Sequence, residues 1–222
     1  MADAPDAAAD RPRGQRMARA ERRSQLLATA LDLFATEGFH HVSMDDIAER
    51  AEVSKPVLYR HFPSKLDLYL AVVDQQGAGL LAALEHAVAP LAAGPLGRGE
   101  GRAVVAAVVA AYVTFVQVAG QASTLLFESD VTHDAQVRGR VEHASAVVTR
   151  RIADVLVGVT GHDRADADVL AAALVASAQG AATYWQRHGA GQDAHRVAEL
   201  VTDLQWRGVA GLVRPDYPYE DA

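Results

Sequence analysis

The stretch of sequence that decides the fold runs from residue 47 to residue 65 and reads IAERAEVSKPVLYRHFPSK. Just before it, Ser43 and Asp46 stand three positions apart. This spacing forms a capping box, in which a hydroxyl and a carboxylate satisfy the free N–H groups at the start of a helix. The pattern predicts a short helix over residues 44–51, with Ile47 and Ala48 facing inward.

A second short helix is predicted after a turn at Glu52 and Val53. Ser54 can cap this helix, which runs through Phe62. Pro56 falls in its first turn, where a missing N–H costs little, and Pro63 ends it. Two short helices joined by a tight turn form a helix-turn-helix, and the second helix of such a motif can enter the major groove of DNA.

Longer helices are predicted on both sides of this motif. The preceding helix covers about residues 20–37, with an apolar face that includes Leu27, Leu31 and Phe34, and Gly38 supplies its C-terminal stop. Ser64 and Asp67 repeat the capping pattern and begin a long helix over about residues 64–88. Leu58 and Phe62 are predicted to belong to the core of this N-terminal unit.

The rest of the chain is rich in Ala, Leu and Val at steps of three and four residues, without sustained alternation, and this predicts an all-α protein. A Gly-rich loop is expected at 94–101. Further helices are predicted at about 102–119, 122–129, 134–157, 163–188 and 193–212. The predicted division is a flexible Arg-rich tail (1–16), the unit that contains the helix-turn-helix (17–63), a larger helical domain (64–214) and a C-terminal tail (215–222).

Composition narrows the class of protein. The 222 residues include no cysteine, which excludes disulfides and thiolate metal sites and fits a cytoplasmic protein. No apolar run is judged long enough to span a bilayer, and the N-terminus lacks the apolar segment of a secretory signal. The net charge is −7, yet the first 65 residues are neutral and carry six arginines between positions 11 and 23. Basic charge is therefore concentrated just before the helix-turn-helix, as in a DNA-binding footprint. A solvated, disordered basic arm is the other interpretation of this charge.

The same stretch resembles the signature of the TetR family of regulators, written A-G-V-S-x-x-x-L-Y-x-H-F-x-x-K. The resemblance includes Phe34, Gly38, Phe39 and Ser43 upstream. One departure is Glu52, which stands where the family usually has Gly. A non-Gly residue costs about 1 kcal/mol if this position is left-handed. The resemblance implies an N-terminal three-helix DNA-binding domain followed by a helical ligand-binding and dimerisation domain.

Roles for individual residues follow from side-chain chemistry and from matched positions. Lys55 can donate to guanine O6 and N7, and Pro56 and Val57 can contact a thymine methyl group. The resemblance implies that four further side chains contact phosphates, namely Ser43, Tyr59, His61 and Lys65. Backbone N–H groups at helix N-termini would add to these contacts. The predicted DNA-binding set is Ser43, Ser54, Lys55, Pro56, Val57, Tyr59, His61 and Lys65.

The resemblance also implies a homodimer on double-stranded operator DNA. The DNA-binding unit, residues 17–63, is called the reading head below. In a dimer, two reading heads about 34–36 Å apart would bind the two halves of a palindrome. Members of the family join their two C-terminal helices into a four-helix interface. Residues 170–182 are apolar almost all round and rich in small side chains, so this helix is predicted to be buried on several faces.

A second resemblance extends over most of the chain after the Arg-rich segment. The runs at 54–59, 64–72, 125–130 and 184–185 resemble those of actinobacterial regulators of fatty-acid synthesis. That group responds to long-chain acyl-CoA, so the resemblance implies a small hydrophobic effector and no cofactor. A helix-lined apolar pocket is one interpretation and ordinary core packing is the other. The predicted lining residues are Leu84, Val108, Tyr112, Phe115, Phe127, Val148, Leu174 and Trp185.

Other classes of function have less support in the sequence. His133 and His143 lack the spacing of a metalloprotease, and no serine has the context of a nucleophile elbow, so neither catalysis nor a metal site is expected. A drug- or metabolite-responsive repressor of an efflux or catabolic operon remains the main alternative. A ligand-free architectural DNA-binding protein is a more distant alternative, and a membrane partner is not expected.

Overall fold

The computed structural model describes residues 19–89, 100–127, 135–189 and 191–210, and the regular structure in these ranges is helical. The predicted all-α class is thereby confirmed. A short 3-10 turn, Gly120–Ser123, precedes the sixth helix. The helices are α1 Arg19–Glu37, α2 Met44–Arg50, α3 Lys55–His61, α4 Lys65–Val88, α5 Glu100–Ala119, α6 Thr124–Phe127, α7 Ala135–Thr160, α8 Arg164–His188 and α9 Ala194–Ala210.

The boundaries of the first helices are set by local chemistry. Gly38 ends α1 in a left-handed conformation (φ 83°), and its N–H donates to the Phe34 carbonyl at 3.1 Å. Ser43 caps α2 through the complete capping box with Asp46. Glu52 has a φ of 53°, so the turn between α2 and α3 is left-handed at the position where the family has Gly. The helix-turn-helix prediction is confirmed by these bounds.

The buried face of α1 differs slightly from the predicted one. It is formed by Leu26, Ala30, Leu33 and Phe34, whereas Leu27 and Leu31 are only partly buried. Since successive apolar pairs occur along this helix, periodicity could not decide which member of each pair points inward.

An aromatic cluster joins the N-terminal helices to α4. The ring centroids of Phe34 and Tyr69 lie 5.2 Å apart, and those of Phe39 and Tyr69 lie 4.9 Å apart, both in edge-on geometry. Ser64 accepts a hydrogen bond from the Asp67 N–H at 3.1 Å and so caps α4 as predicted. Because α4 continues from this cluster toward α5 and α7, it links the reading head mechanically to the larger domain.

The central helix of the larger domain is α5, which packs against α4, α8 and α9. The expectation that no apolar run could span a bilayer was wrong by length and composition, because the helical run Gly101–Leu126 has a mean hydropathy of 2.1. A core helix passes the same test, and Val109, Tyr112 and Val116 are fully buried within this domain. Packing between helices therefore accounts for the buried part of this run, which is 33% of its most apolar window.

Several predicted bounds in this domain need correction. The single helix expected at 122–129 is a 3-10 turn followed by one turn of α6, which ends at Phe127. The helix expected to end at 157 continues to Thr160, whose hydroxyl donates to the Leu156 carbonyl at 2.7 Å. The predicted tails at 1–16 and 215–222 and most of the loop at 94–101 lie outside the described residues.

The prediction that α8 is buried on several faces concerns a dimer, and for the single chain it stays a prediction. One face of α8 is buried, through Ala171, Val175, Ala178 and Ala182. On other faces Val169 is 70% exposed and Tyr184 is 67% exposed. A helix with small and apolar residues on all sides can be buried on any of them. Which sides are buried depends on the helices that pack against it.

Candidate nucleic-acid interface

The helix α3 presents one face to the core and another to solvent. Leu58 and Phe62 are buried, as the sequence analysis predicted, because they pack beneath α1 and α2. Lys55 and Pro56 are exposed, Tyr59 is 46% exposed and Val57 is half-buried. Pro56 lies in the first turn of α3, as predicted. Four of the predicted DNA-binding residues thus lie along an exposed or half-exposed side of a helix.

Lys55 is engaged within the protein. Its ammonium donates to the Asp45 carboxylate at 2.7 Å, and this partner raises the pKa of Lys55 above its ordinary value. Asp45 lies in the first turn of α2, so the pair joins the beginnings of the two helices of the motif. A contact between Lys55 and a guanine would have to use its remaining N–H groups or replace Asp45.

The two serines that precede α2 and α3 behave differently. The Ser43 hydroxyl donates to the Asp46 carboxylate at 2.7 Å and accepts from the Asp46 N–H at 3.1 Å. Hydrogen bonds from the Ser43 side chain and backbone hold the pKa of Asp46 below its ordinary value. Ser54 occupies the N-cap position of α3, but its side chain makes no capping hydrogen bond. Ser54 is thus the N-cap residue of α3, as predicted, but its backbone carbonyl accepts from the N–H groups of Val57 and Leu58, and its hydroxyl is not committed to capping.

Lys65 has a structural task in the free protein. Its ammonium donates to the Phe39 carbonyl at 2.8 Å and to the Val42 carbonyl at 2.9 Å. It also lies 4.3 Å from the centroid of the Phe39 ring, in cation–π geometry. Two of its three N–H groups thus tie the start of α4 to the segment before α2. A phosphate contact would rest on the third.

His61 lies among several cations. Burial, followed by the charges of Arg60 and of three arginines on α1, holds the pKa of His61 below 6.5. The lowered pKa favours the neutral imidazole, which can offer a phosphate an N–H hydrogen bond without a full positive charge. The α1 arginines are Arg19, Arg22 and Arg23.

Together with Arg60, these arginines form a basic rim beside α3. The rim was not predicted from the sequence, in which the arginines between positions 11 and 23 form one N-terminal cluster and Arg60 has no predicted role. In the structure Arg23 lies 4.4 Å from the centroid of the Phe62 ring, and Arg22 donates to Gln25 at 2.6 Å. Gln25 in turn donates to the Ala51 carbonyl at the end of α2, at 3.1 Å. The available signal was helical periodicity, since Arg19, Arg22 and Arg23 are spaced to lie on one side of α1.

The residues predicted to line an effector pocket do not all lie together. Leu84, Val108, Tyr112 and Val148 belong to one buried core, and Phe115 and Trp185 pack against it. Burial raises the pKa of Tyr112 to about 12. Leu174 packs instead against a separate cluster formed by Ala153, Leu156, Ala167 and Ala171. The side chain of Phe127 lies outside the described part of the chain.

A groove of about 220 Å³ lies between α4 and α7, along the line where the two helices pack together. Asp74 on α4 and Arg140 on α7 form an ion pair at its edge, and both side chains are about half exposed. The groove is lined by Val73, Asp74, Gly77, Ala78, Leu81, Arg140, His143 and Val147. This ion pair directly links the helix that carries the reading head to the helix opposite.

Comparison with known proteins places these features in a family. The model for bacterial regulatory proteins of the tetR family matches residues 26–72. The HTH-type transcriptional activator FasR of Mycolicibacterium smegmatis is 34% identical over 198 residues, which cover 89% of this chain and 87% of that protein. The HTH-type transcriptional regulator EthR of the same organism is 42% identical over 66 residues, which cover 28% of this chain and 30% of that protein.

A solved structure supports the same assignment over most of the chain. The TetR-like transcriptional regulator from Rhodococcus sp. RHA1 has a TM-score of 0.68 and 29% identity, covering 88% of this chain and 100% of that chain. The three relatives are named as transcriptional regulators. With a helix-turn-helix at its N-terminus and a full-length relative at this level of identity, the chain belongs to the TetR family of bacterial regulatory proteins.

Proposed function

We propose that this protein is a ligand-responsive transcription regulator that binds a palindromic operator as a homodimer, with a long-chain acyl-CoA or fatty acid as its effector. The observation that carries the proposal is the exposed side of α3, which lies beside four arginines and is joined directly to α4. Such a surface offers side chains to base edges and cations to phosphates. We place the boundary between the DNA-binding domain and the ligand-binding and dimerisation domain between residues 63 and 64. We expect the protein to act in the cytoplasm.

The proposed contacts fall into two classes that mutation can separate. Tyr59 is exposed beside the basic rim and is proposed to contact phosphate, whereas Lys55 is proposed to contact a base edge. Tyr59→Ala should therefore weaken binding to every DNA sequence, while Lys55→Ala should also relax base preference. Titration of both variants against a set of operator variants tests this. Equal loss for both across the whole set would contradict these roles.

Homodimer formation is proposed through a dimer face, defined as the exposed apolar side chains of α8 and α9. Leu204 is 72% exposed, Val169 is 70% exposed, Tyr184 is 67% exposed and Leu200 is 51% exposed. A concentration of exposed apolar side chains on two adjacent helices marks a surface that another protein covers. A second copy would bury it symmetrically and hold two reading heads in register on a palindrome.

A charge in the dimer face should separate the subunits. Leu204→Glu is expected to give a monomer in sedimentation velocity and to reduce operator affinity by about 100-fold or more, because each half-site then binds alone. Val118→Glu is the matched control, since Val118 on α5 is 82% exposed and lies outside this face. A Leu204→Glu protein that remained dimeric would show that the interface lies elsewhere.

The proposed effector rests on the resemblance to the acyl-CoA-responsive regulators, which the 34% identity to FasR strengthens. The helices α4, α5 and α7 contribute aliphatic side chains to one core, as a pocket for an acyl chain requires. A ligand shifts DNA affinity only if it prefers one arrangement of the two heads. Because α4 is joined to the reading head, a change in its tilt would alter their spacing.

Native mass spectrometry followed by operator titration tests the effector. A copurified long acyl chain, or loss of DNA affinity with micromolar palmitoyl-CoA or stearoyl-CoA, is the expected result. An empty protein with unchanged DNA affinity would contradict the acyl-CoA proposal and favour a drug- or metabolite-responsive repressor. If no small molecule shifted the affinity, the architectural alternative would gain support.

The Arg-rich tail, residues 1–16, is proposed to add contacts to DNA. Arg11, Arg13 and Arg16 precede the described residues and are proposed to bind phosphates or the minor groove. Deletion of residues 1–16 should lower both operator affinity and its dependence on salt. An unchanged salt slope would contradict a role for the Arg-rich tail.

A further inference from the structure

The Asp45–Lys55 ion pair occupies a particular place in the reading head. The Lys55 ammonium donates to Asp45 Oδ2 at 2.7 Å, and the two side chains are 61% and 58% exposed. Lys55 is the first residue of α3, whereas Asp45 belongs to the first turn of α2. The pair therefore lies on the surface that faces DNA in the proposed function, on which this inference rests.

Other carboxylates of α2 have different surroundings. Asp46 accepts hydrogen bonds from Ser43 and belongs to the capping box. Glu49 is exposed on the same helix, one turn further along. Among the α2 carboxylates, Asp45 is the one bonded to Lys55, so its charge acts directly on a side chain proposed to contact a base.

A lysine at such a position poses a problem for selectivity. Its ammonium is a point charge on a flexible stem, and phosphates attract it regardless of base sequence. Contacts with phosphate position a protein on DNA but carry no sequence information. A carboxylate bonded to the ammonium offsets that attraction and restricts the stem, while two N–H groups remain for an acceptor in the groove.

We propose that Asp45 is a specificity-determining residue, which holds Lys55 in place for a base edge and suppresses its contacts with the phosphates of unrelated DNA. Asp45 itself contacts Lys55 rather than the bases, so it acts as a positioning residue. In the preferred sequence, guanine O6 or N7 accepts a hydrogen bond from Lys55. This hydrogen bond offsets the repulsion between the Asp45 carboxylate and the nearby DNA. Other base pairs do not present the two adjacent acceptors O6 and N7 to the two remaining N–H groups of Lys55, so the Asp45 charge is less well compensated and opposes binding.

The test uses the full-length chain and begins with selection of a preferred operator from a pool of random duplexes by the wild-type protein. Dissociation constants for that operator and for a random duplex are then measured over a range of salt concentrations. Asp45→Asn removes the charge with little change in shape. Glu49→Gln is the matched control, because it removes one negative charge from the same helix without touching Lys55.

Asp45→Asn is expected to bind the random duplex several-fold more tightly and to lose about 10-fold in the ratio of operator to random affinity. Its salt slope on random DNA should steepen by about 0.9, which corresponds to one additional phosphate contact. Glu49→Gln should change both affinities together and preserve the ratio. In the Lys55→Met background, Asp45→Asn should no longer affect the ratio, because the residue it acts through is gone.

Two results would overturn the inference while leaving the proposed function intact. One is an Asp45→Asn protein with the wild-type ratio and salt slope. The other is a loss of selectivity of the same size in Glu49→Gln, which would show a general effect of charge. If the wild-type protein enriched no sequence at all, the proposed function would fail and this inference would fail with it.

Discussion

The reading head and the larger helical domain owe their structures to different kinds of information. In the head, several helix boundaries coincide with a residue whose local chemistry favours them, as at Gly38, Ser43 and Ser64. In the larger domain, long helices of Ala, Val and Leu could pack in several ways, and neighbours decide which face is buried. Capping residues and side-chain periodicity therefore predict the structure of the head well. For the larger domain they predict the helices but not how the helices pack.

The first test of this contrast is whether the head unfolds separately. Phe34 is fully buried at the junction with α4, so Phe34→Ala should cost about 3–5 kcal/mol, whereas Phe34→Leu should cost under about 1.5 kcal/mol. Both tryptophans, Trp185 and Trp206, lie in α8 and α9. Circular dichroism of Phe34→Ala should thus begin to fall at a lower denaturant concentration than tryptophan fluorescence changes. Coincident transitions would mean that the two regions unfold as one unit.

A second test concerns the strained turn inside the head. Glu52 adopts a φ of 53°, so Glu52→Gly should raise the free energy of unfolding by up to about 1 kcal/mol. Glu52→Ala removes the same charge but keeps the strain and serves as the control. Chemical denaturation of the two variants measures the difference, and equal stabilities would show that the turn stores no strain.

A third test compares two ion pairs within the larger domain. Asp74→Asn breaks the pair with Arg140 between α4 and α7, and Asp154→Asn breaks a pair with Arg164 between α7 and α8. Each should cost about 0.2–1 kcal/mol at low salt and less at high salt, because the side chains are about half exposed. Asp74→Asn alone should also change operator affinity, since only α4 continues into the head. The same operator affinity in both variants would argue against coupling through this pair.

The smallest expected effect is a pH dependence that originates at His61. The pKa of His61 is held below 6.5 in the free protein, first by burial and then by Arg60, Arg19, Arg23 and Arg22. The unfolded chain therefore binds the proton more readily, and the contribution of His61 to stability is lost as pH falls below about 6.5. DNA phosphates would favour the protonated form, so operator affinity should rise a few-fold between pH 7.5 and 6.

His61→Gln is the control for this pH dependence, because glutamine keeps an N–H donor but does not titrate. Its operator affinity should change less with pH than that of the wild-type protein. A wild-type profile retained in His61→Gln would assign the effect to other groups.

Sequence alone predicted the helix-turn-helix, the buried Leu58 and Phe62 and the capping of α2 and α4. These features depend on residues within a few positions of one another, so hydrogen-bonding capacity and side-chain periodicity suffice to predict them. Sequence also placed Glu52 at a position where glycine is usual, and the left-handed φ there agrees with that interpretation.

Only the tertiary structure decided how the side chains of the reading head are used. Asp45 and Lys55 are 10 residues apart, and Lys65 lies 26 and 23 residues from the carbonyls that it binds. The tertiary structure likewise assigned Leu174 to a separate cluster and left the proposed dimer face exposed. Such outcomes depend on how helices meet in space, which local pattern does not specify because many pairings would satisfy the same sequence of apolar and charged residues.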